Sequence, residues 1–390
     1  MRGRSPAPAR AARGAGRLAA LNPLRRFGNN HQSASVVVGM AVVTTILPFI
    51  VLMPPFSGFG TQNDWLDGFA SAGVFVLLAL GLNIVVGMAG LLDLGYAAFF
   101  AFGAYAYAFG ASPFTGLEIP FWFLLPVGAF VAAVFGVMLG APTLRLRGDY
   151  LAIVTLGFGE IVPIVFLNAD TFTNGTNGIG GVYQPSAPII GNFGFGNPLP
   201  YFVTIAALIA IVMILIYRLR DSRVGRAWNA IREDELAAAS MGINTVTTKL
   251  LAFAIGASTA GIGGVFYASK LSIVSPGDFG FTVSFTILAM VVLGGIGNVW
   301  GVAAGAFIVY ELQSQGLKQL NTFFQPLHIP ILSDINFTLY QFLLYGLALV
   351  AMMLLRPGGL FPNKRRAAEI KSAPASEAST PSVGSGEAEA

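Results

Sequence analysis

Apolar residues run along this chain in blocks too long for one face of a soluble helix. From Ala70 the sequence reads ASAGVFVLLALGLNIVVGMAGLLDLGYAAFFAFGAYAYAFG, with Asp93 its one acid and no basic residue. A crossing of a bilayer's hydrocarbon core takes about 20 residues. Residues 69 to 110 therefore predict two crossings, broken near Gly90 to Gly95. The same reading places spans at Val36–Met53, Pro120–Gly140, Tyr150–Asn168, Leu199–Tyr217, Leu250–Ala268 and Ile335–Leu355, with short ones at Phe281–Ile296 and Gly301–Leu312. The short pair predicts re-entrant or tilted helices. The predicted fold class is an all-α polytopic membrane protein, a helical bundle of about eight to ten transmembrane segments.

Composition agrees. The chain has 390 residues, of which 55% are hydrophobic and only 10% charged, whereas soluble domains carry about a quarter charged residues. Its 48 glycines suit close helix packing. With no cysteine, disulfides and thiolate metal sites are excluded.

Charge placement sets the expected topology. Seven arginines lie in the first 26 residues, and no Lys or Arg follows until Arg145 and Arg147. Arg218, Arg220, Arg223, Arg226 and Arg232 form the next cluster, and Arg356, Lys364, Arg365, Arg366 and Lys371 the last. Cytoplasmic loops carry such excess. Both termini, residues 141–149 and residues 218–248 are thus expected on the cytoplasmic side, with Asp64, Asp67 and residues 169–198 outside. Lys270 and Lys318 are isolated exceptions. The basic clusters punctuate apolar runs instead of covering a folded face, which argues against a nucleic-acid partner. Residues 1–34 read as a disordered basic cytoplasmic tail, with a processed leader as the rival reading, 35–358 as the transmembrane domain and 359–390 as a second disordered tail.

The one long charged internal segment, 218–248, contains GRAWNAIREDELAAASMGIN from Gly225. Its Ala and Glu content predicts a helix from Ala227 to Met241. Mid-run charges forbid a membrane crossing. The stretch is either a solvated connector or a docking helix, with Trp228 and Ile231 as apolar anchors and the Arg232–Glu233–Asp234 triplet for orientation.

Polar residues inside the apolar blocks are the other candidates. Glu160 sits near mid-membrane and is either a pore or gate position or a hydrogen-bonded structural carboxylate at a helix interface. Pro163 and the neighbouring Thr155, Gly157 and Gly159 suggest a locally opened helix. Asn83, Asp93 and Tyr96 line a path for a zwitterionic solute or satisfy backbone groups at a turn. No residue set supports catalysis: there is no phosphate-binding Gly-Lys-Ser/Thr loop and no metal-ligand spacing, so no cofactor is expected.

These motifs carry a resemblance. GLNIVVGMAGLLDLGYAAFFAFGAYAYA from Gly81, LRLRGDYLAIVTLGFGEIV from Leu144, TNGTNGIGG from Thr173, the charged loop, KLLAFAIGASTAGIGGVFYAS from Lys249 and VVLGGIGNVWG from Val291 occur in that order. Over residues 36–358 the chain resembles the LivM-type permease subunits of branched-chain amino-acid ABC importers, proteins of the bacterial inner membrane. The resemblance implies a second, LivH-type permease subunit, two cytoplasmic ATPase subunits and a periplasmic substrate-binding protein as partners, beside membrane lipid. It casts Arg226, Trp228, Arg232, Glu233, Glu235 and Gly242 as contacts of a coupling segment. Similar permeases carry urea or other small solutes, which stays open, as does an ion-coupled secondary transporter built on broken helices.

Overall fold

The computed structural model of the chain describes residues 36, 38–40, 42–43, 46–47, 62–143, 149–187, 191–194, 196–316, 339–356 and 359–361. Most of the predicted first span, both tails, Arg145, Arg147, Lys318 and His328 lie outside these residues.

A backbone without water must satisfy its own polar groups, and a long apolar run does so as a helix. The elements follow: α1 Gln62–Leu82, prolonged by a π-helical turn at Asn83–Met88; α2 Tyr96–Gly110; α3 Phe121–Thr143; α4 Asp149–Asn168; α5 Leu199–Asp221; α6 Arg223–Glu233; α7 Glu235–Ser240; α8 Thr245–Leu271; α9 Phe281–Gly294; α10 Val299–Glu311; and α11 Gln341–Leu355. Among the described residues six helical segments are long and apolar enough to cross a membrane: Gln62–Met88, Phe121–Thr143, Tyr150–Asn168, Leu199–Asp221, Thr245–Leu271 and Pro276–Gly294. Helices α2, α10 and α11 have 15, 13 and 15 residues, or about 20 Å each, short of a ~30 Å core. Strands among the described residues are two-residue pairs confined to connections. The fold is the all-α polytopic bundle that the apolar blocks predict; the Gly301–Leu312 run forms the short α10 as expected, whereas the Phe281–Ile296 run lies mostly in Pro276–Gly294, long enough to cross.

Helices α1 and α8 form the centre. Helix α8 packs along α3 and α2, and α1 packs against α10, α5 and α8. Lipid tails give apolar helices no hydrophobic reason to associate, so close packing must supply the attraction. A small-residue seam provides it. A Cβ on Gly103 would run into the Gly261 carbonyl, one on Gly261 would lie 2.7 Å from the Ala132 Cβ, and one on Gly264 would lie 2.6 Å from the Ala104 nitrogen.

The two ends of α8 mark the two ends of the bundle. At one, the buried Lys270 ammonium pairs with Asp67 at 2.9 Å and donates to the Asp67 carbonyl at 3.0 Å, joining α8 to the start of α1. The isolated Lys270 of the sequence thus has a partner. A connection crosses the same end: Ile179–Gly180 pairs antiparallel with Ile273–Val274, the Tyr183 N–H donates to the Ala111 carbonyl at 2.8 Å, and the Tyr107 hydroxyl donates to the Tyr183 carbonyl at 2.7 Å. At the other end, Lys249 near the start of α8 pairs with Glu235 at 2.6 Å.

One backbone expectation changes. Helix α4 runs unbroken through Pro163, whereas the distortion falls in α1. There the Ala89 N–H reaches back to the Ile84 carbonyl at 3.1 Å and the Leu91 N–H to the Val85 carbonyl at 3.1 Å. Asn83, the first residue of this wide turn, accepts from the Gly297 N–H at 2.8 Å in the α9–α10 connection. A contact 214 residues away in sequence therefore accompanies the bulge, which local propensity does not encode.

Candidate functional site

The charged loop is two helices, not the single helix predicted over Ala227–Met241. Ser222 caps α6, its Oγ accepting the Gly225 N–H at 3.3 Å. Asp234 leaves helical geometry at φ −155° and caps α7, its Oδ1 accepting from Leu236 N at 2.8 Å and Ala237 N at 3.0 Å. An Asp before Glu-Leu-Ala is a strong N-cap, and this local bond wins over the helix propensity around it. Gly242 ends α7 at φ +86°, with Ile243 N donating to the Ala238 carbonyl at 3.1 Å and Gly242 N to the Ala239 carbonyl at 3.0 Å. That closure needs a left-handed residue, so Gly242 is a helix terminator. Asn244 then caps α8 through Thr247 N at 3.2 Å.

The predicted anchors turn inward. Trp228 is 0% exposed, and its indole N–H donates to the Thr248 carbonyl at 2.7 Å. Ile231 is also buried. These two residues fasten the loop to its own bundle and offer a partner no apolar surface. Glu235 is engaged by Lys249. Arg226 and Glu233 are exposed, with Arg226 donating to the Asp221 carbonyl at 2.8 Å. The large apolar residues of α7 and its C-terminal end that face outward are Leu236 at 66% and Met241 at 84% exposure. Only the three-dimensional path of α7 reveals them, because in sequence they are indistinguishable from the buried Ile231.

Arg232 connects this loop to the core. Its guanidinium donates to the Gly87 carbonyl at 2.5 Å, inside the π-helical turn of α1. A Cβ on Gly90, at φ +71°, would lie 2.7 Å from the Arg232 Cγ. A charged donor to a carbonyl is a strong hydrogen bond, and here it holds the end of a distorted transmembrane helix.

Beyond the π turn, the α1–α2 break gathers the predicted intramembrane residues. Asn83 and Asp93 are almost wholly buried. Asp93 Oδ1 accepts the Gly95 N–H at 2.9 Å, the turn role foreseen for it, but its Oδ2 has no partner among the described residues. Thr155 Oγ1 on α4 accepts from Leu94 N at 3.1 Å. The Tyr96 hydroxyl donates to the Gly256 carbonyl at 2.7 Å and lies 3.2 Å from Thr259 Oγ1. Tyr96 thereby locks the start of α2 to α8. The sequence does not mark Ser284 or Thr259 as candidates. Ser284 Oγ accepts the Ala97 N–H at 2.9 Å, and a serine inside an apolar run was its one visible signal.

Glu160 stands apart from this cluster. It is exposed, and its Oε1 accepts the Phe281 N–H at 3.0 Å, capping α9 from a neighbouring helix. Glutamine keeps the acceptor and alanine removes it. Glu160→Gln should leave thermal stability in detergent nearly unchanged, and Glu160→Ala should lower it by about 1 kcal/mol. Equal losses in both variants would show that the charge, not the cap, matters.

The sequence that builds this core and loop finds counterparts among known proteins. A family profile described as branched-chain amino acid transport system / permease component matches residues 65–355. The chain belongs to this family. It is 40% identical over 320 residues to the high-affinity branched-chain amino acid transport system permease protein LivM of Salmonella typhimurium, covering 77% of this chain and 70% of that protein. Identity to LivM of Escherichia coli K12 is 40% over 319 residues, or 76% and 70% of the two chains. LivH of Salmonella typhimurium is 25% identical over 270 residues, 66% of this chain and 86% of LivH. No solved structure matches the chain.

Proposed function

We propose that this chain is one permease subunit of a binding-protein-dependent ABC importer of the bacterial inner membrane and moves a branched-chain amino acid inward. Its partners are a second, LivH-type permease, two cytoplasmic ATPases and a periplasmic binding protein, and both termini lie in the cytoplasm. The chain itself is not an enzyme; its chemistry is the opening and closing of a path. The observation that carries this reading is the α6–α7 pair. It is fastened inward by Trp228, hooked to the π turn of α1 by Arg232, and exposes Leu236 and Met241 outward. A part fixed at its back and apolar at its front can take force from a neighbour and pass it to a helix.

The face of α4 supports a second membrane subunit. Tyr150, Ile153, Glu160, Ile161 and Ile164 are exposed along it, and Gly157 opens onto free space. Glu160 lies about 16 Å along α4, deep in the bilayer. A carboxylate at that depth does not face acyl chains, so protein or a water-filled path covers this stripe.

The lack of native cysteine makes the test direct. A single Met241→Cys should react with a membrane-impermeant thiol reagent only from the cytoplasmic face, and should crosslink to the ATPase in the assembled transporter. Leu236→Asp should weaken ATPase capture by roughly tenfold, the scale of one interface hot spot. Labelling of Met241→Cys from outside, or unchanged capture by Leu236→Asp, would overturn the assignment.

A further inference from the structure

A narrow crevice opens beside the α1–α2 break, lined by Asp93, Thr143 and Thr155 and walled by the rings of Phe99, Phe158 and Phe253. Its polar chemistry is one-sided. Asp93 Oδ1 is occupied by the Gly95 N–H, while Oδ2 is buried and unpartnered among the described residues. The Thr155 hydroxyl lies within hydrogen-bond reach of that carboxylate and of the Ala152 carbonyl at 3.1 Å, so its one proton serves acceptors already present in the protein. The Thr143 hydroxyl likewise donates back into α3, to the carbonyls of Leu139 at 3.1 Å and Gly140 at 3.0 Å. Both hydroxyl protons are committed, and the oxygens that remain are acceptors.

A site with a carboxylate, hydroxyl oxygens and aromatic rings but no free side-chain donor rejects an anion and complements a cation. Its narrowness selects a compact one. A primary ammonium has three donors and no acceptor, and its charge is attracted to ring faces as well as to the carboxylate. We infer that the Asp93 crevice is a subsite for the primary ammonium group of the transported solute. This rests on the transport reading above and adds to it: the permease itself would recognise the ammonium end, next to the π turn that Arg232 holds. The unmet acceptor costs free energy while unfilled, and an arriving ammonium relieves that cost.

The test uses the complete transporter, purified with its partner subunits. 3-Methylbutylamine, which carries the ammonium without a carboxylate, is titrated while its binding is followed by saturation-transfer NMR. 4-Methylpentanoate and ammonium chloride serve as comparison ligands. Wild type should bind the amine, bind 4-methylpentanoate much more weakly, and keep its amine signal in excess ammonium chloride. Asp93→Asn should weaken amine binding by roughly tenfold to a hundredfold, the worth of a hydrogen bond to a charged group. Thr143→Val, which keeps the carboxylate, should weaken it by a few-fold. The site is refuted if Asp93→Asn binds the amine as wild type does, if 4-methylpentanoate binds equally well, or if ammonium chloride displaces the amine at equal concentration, which would mark a site for the free ion. Should Asp93→Asn fail to assemble, an unaltered affinity in Thr143→Val refutes it instead. Leucine uptake by the wild-type transporter in proteoliposomes tests the transport reading separately. If no amino acid enters, that reading falls, while the amine titration still decides the crevice.

Discussion

Replacing Arg232 with alanine is expected to uncouple the transporter. The guanidinium's bond to the Gly87 carbonyl is the direct side-chain tie between α6 and the π turn of α1. From that turn, Asn83 reaches Gly297 in the α9–α10 connection at 2.8 Å. A push on α6–α7 thus has a contiguous route of two hydrogen bonds, the first charge-assisted, into the broken-helix core. On the proposed coupling role, ATPase docking through Leu236 and Met241 should survive without the arginine, because Trp228 still fastens the loop. Solute moved per ATP hydrolysed should fall by roughly 5- to 150-fold, the range of typical coupling energies. Arg232→Lys should fall between, since a lysine keeps the charge but loses the planar fork. The measurement is uptake and ATP hydrolysis on the same proteoliposomes. An unchanged ratio in Arg232→Ala would mean that force enters α1 elsewhere.

The second large effect concerns assembly of the bundle. Helices α2, α3 and α8 meet through Gly103, Gly128 and Gly261 with carbonyl groups facing the missing side chains. Gly261→Ala places a methyl against the Gly128 carbonyl and 2.7 Å from the Ala132 Cβ, an overpacking worth about 1–3 kcal/mol of stability. Gly261→Leu adds a larger side chain where a Cβ alone already meets the Gly128 carbonyl, and should abolish recovery of folded protein from the membrane. Gly157 on α4 provides the contrast: nothing lies within 4 Å of a Cβ built there. Gly157→Ala should therefore fold as wild type, with a gain of up to about 1 kcal/mol from helix propensity. Thermal unfolding of the solubilised variants checks the order. Equal stability of Gly261→Ala and Gly157→Ala would show that the seam relaxes freely.

The crossings were legible in the residues because a bilayer asks only one thing of a spanning segment, that it be apolar over sufficient length. The α1–α2 break was readable from Gly90 to Gly95, and the short α10 from the brevity of its apolar run. The caps of the charged loop were also visible in principle. Asp234 before Glu-Leu-Ala and Gly242 after Ser-Met are local signals, outweighed in the reading by the helix propensity of the whole stretch. The side of the loop that faces a partner was not legible. Trp228, Ile231, Leu236 and Met241 are all apolar residues on short helices, and their spacing does not say which pair turns toward the bundle.

The intramembrane polar residues divide in the same manner. Tyr96, Thr155, Asn83 and Asp93 stood out because polarity inside an apolar run is rare. The partners of Tyr96, Thr155 and Asn83 lie 61 to 214 residues away, beyond any spacing argument, whereas Asp93 bonds Gly95 two residues on. Glu160 reads as either a pore position or a hydrogen-bonded carboxylate at a helix interface, and the approach of α9 supplies the backbone partner of the second reading. By itself the sequence determined a polytopic helical bundle, its family, and which residues are too polar for lipid, because those depend on composition and local order. The tertiary structure alone decided which anchor faces inward, where the backbone widens, and which carboxylate oxygen stays unpaired. Each of those follows from the meeting of helices distant in the chain, where the geometry of close approach, not the identity of a residue, sets what it touches.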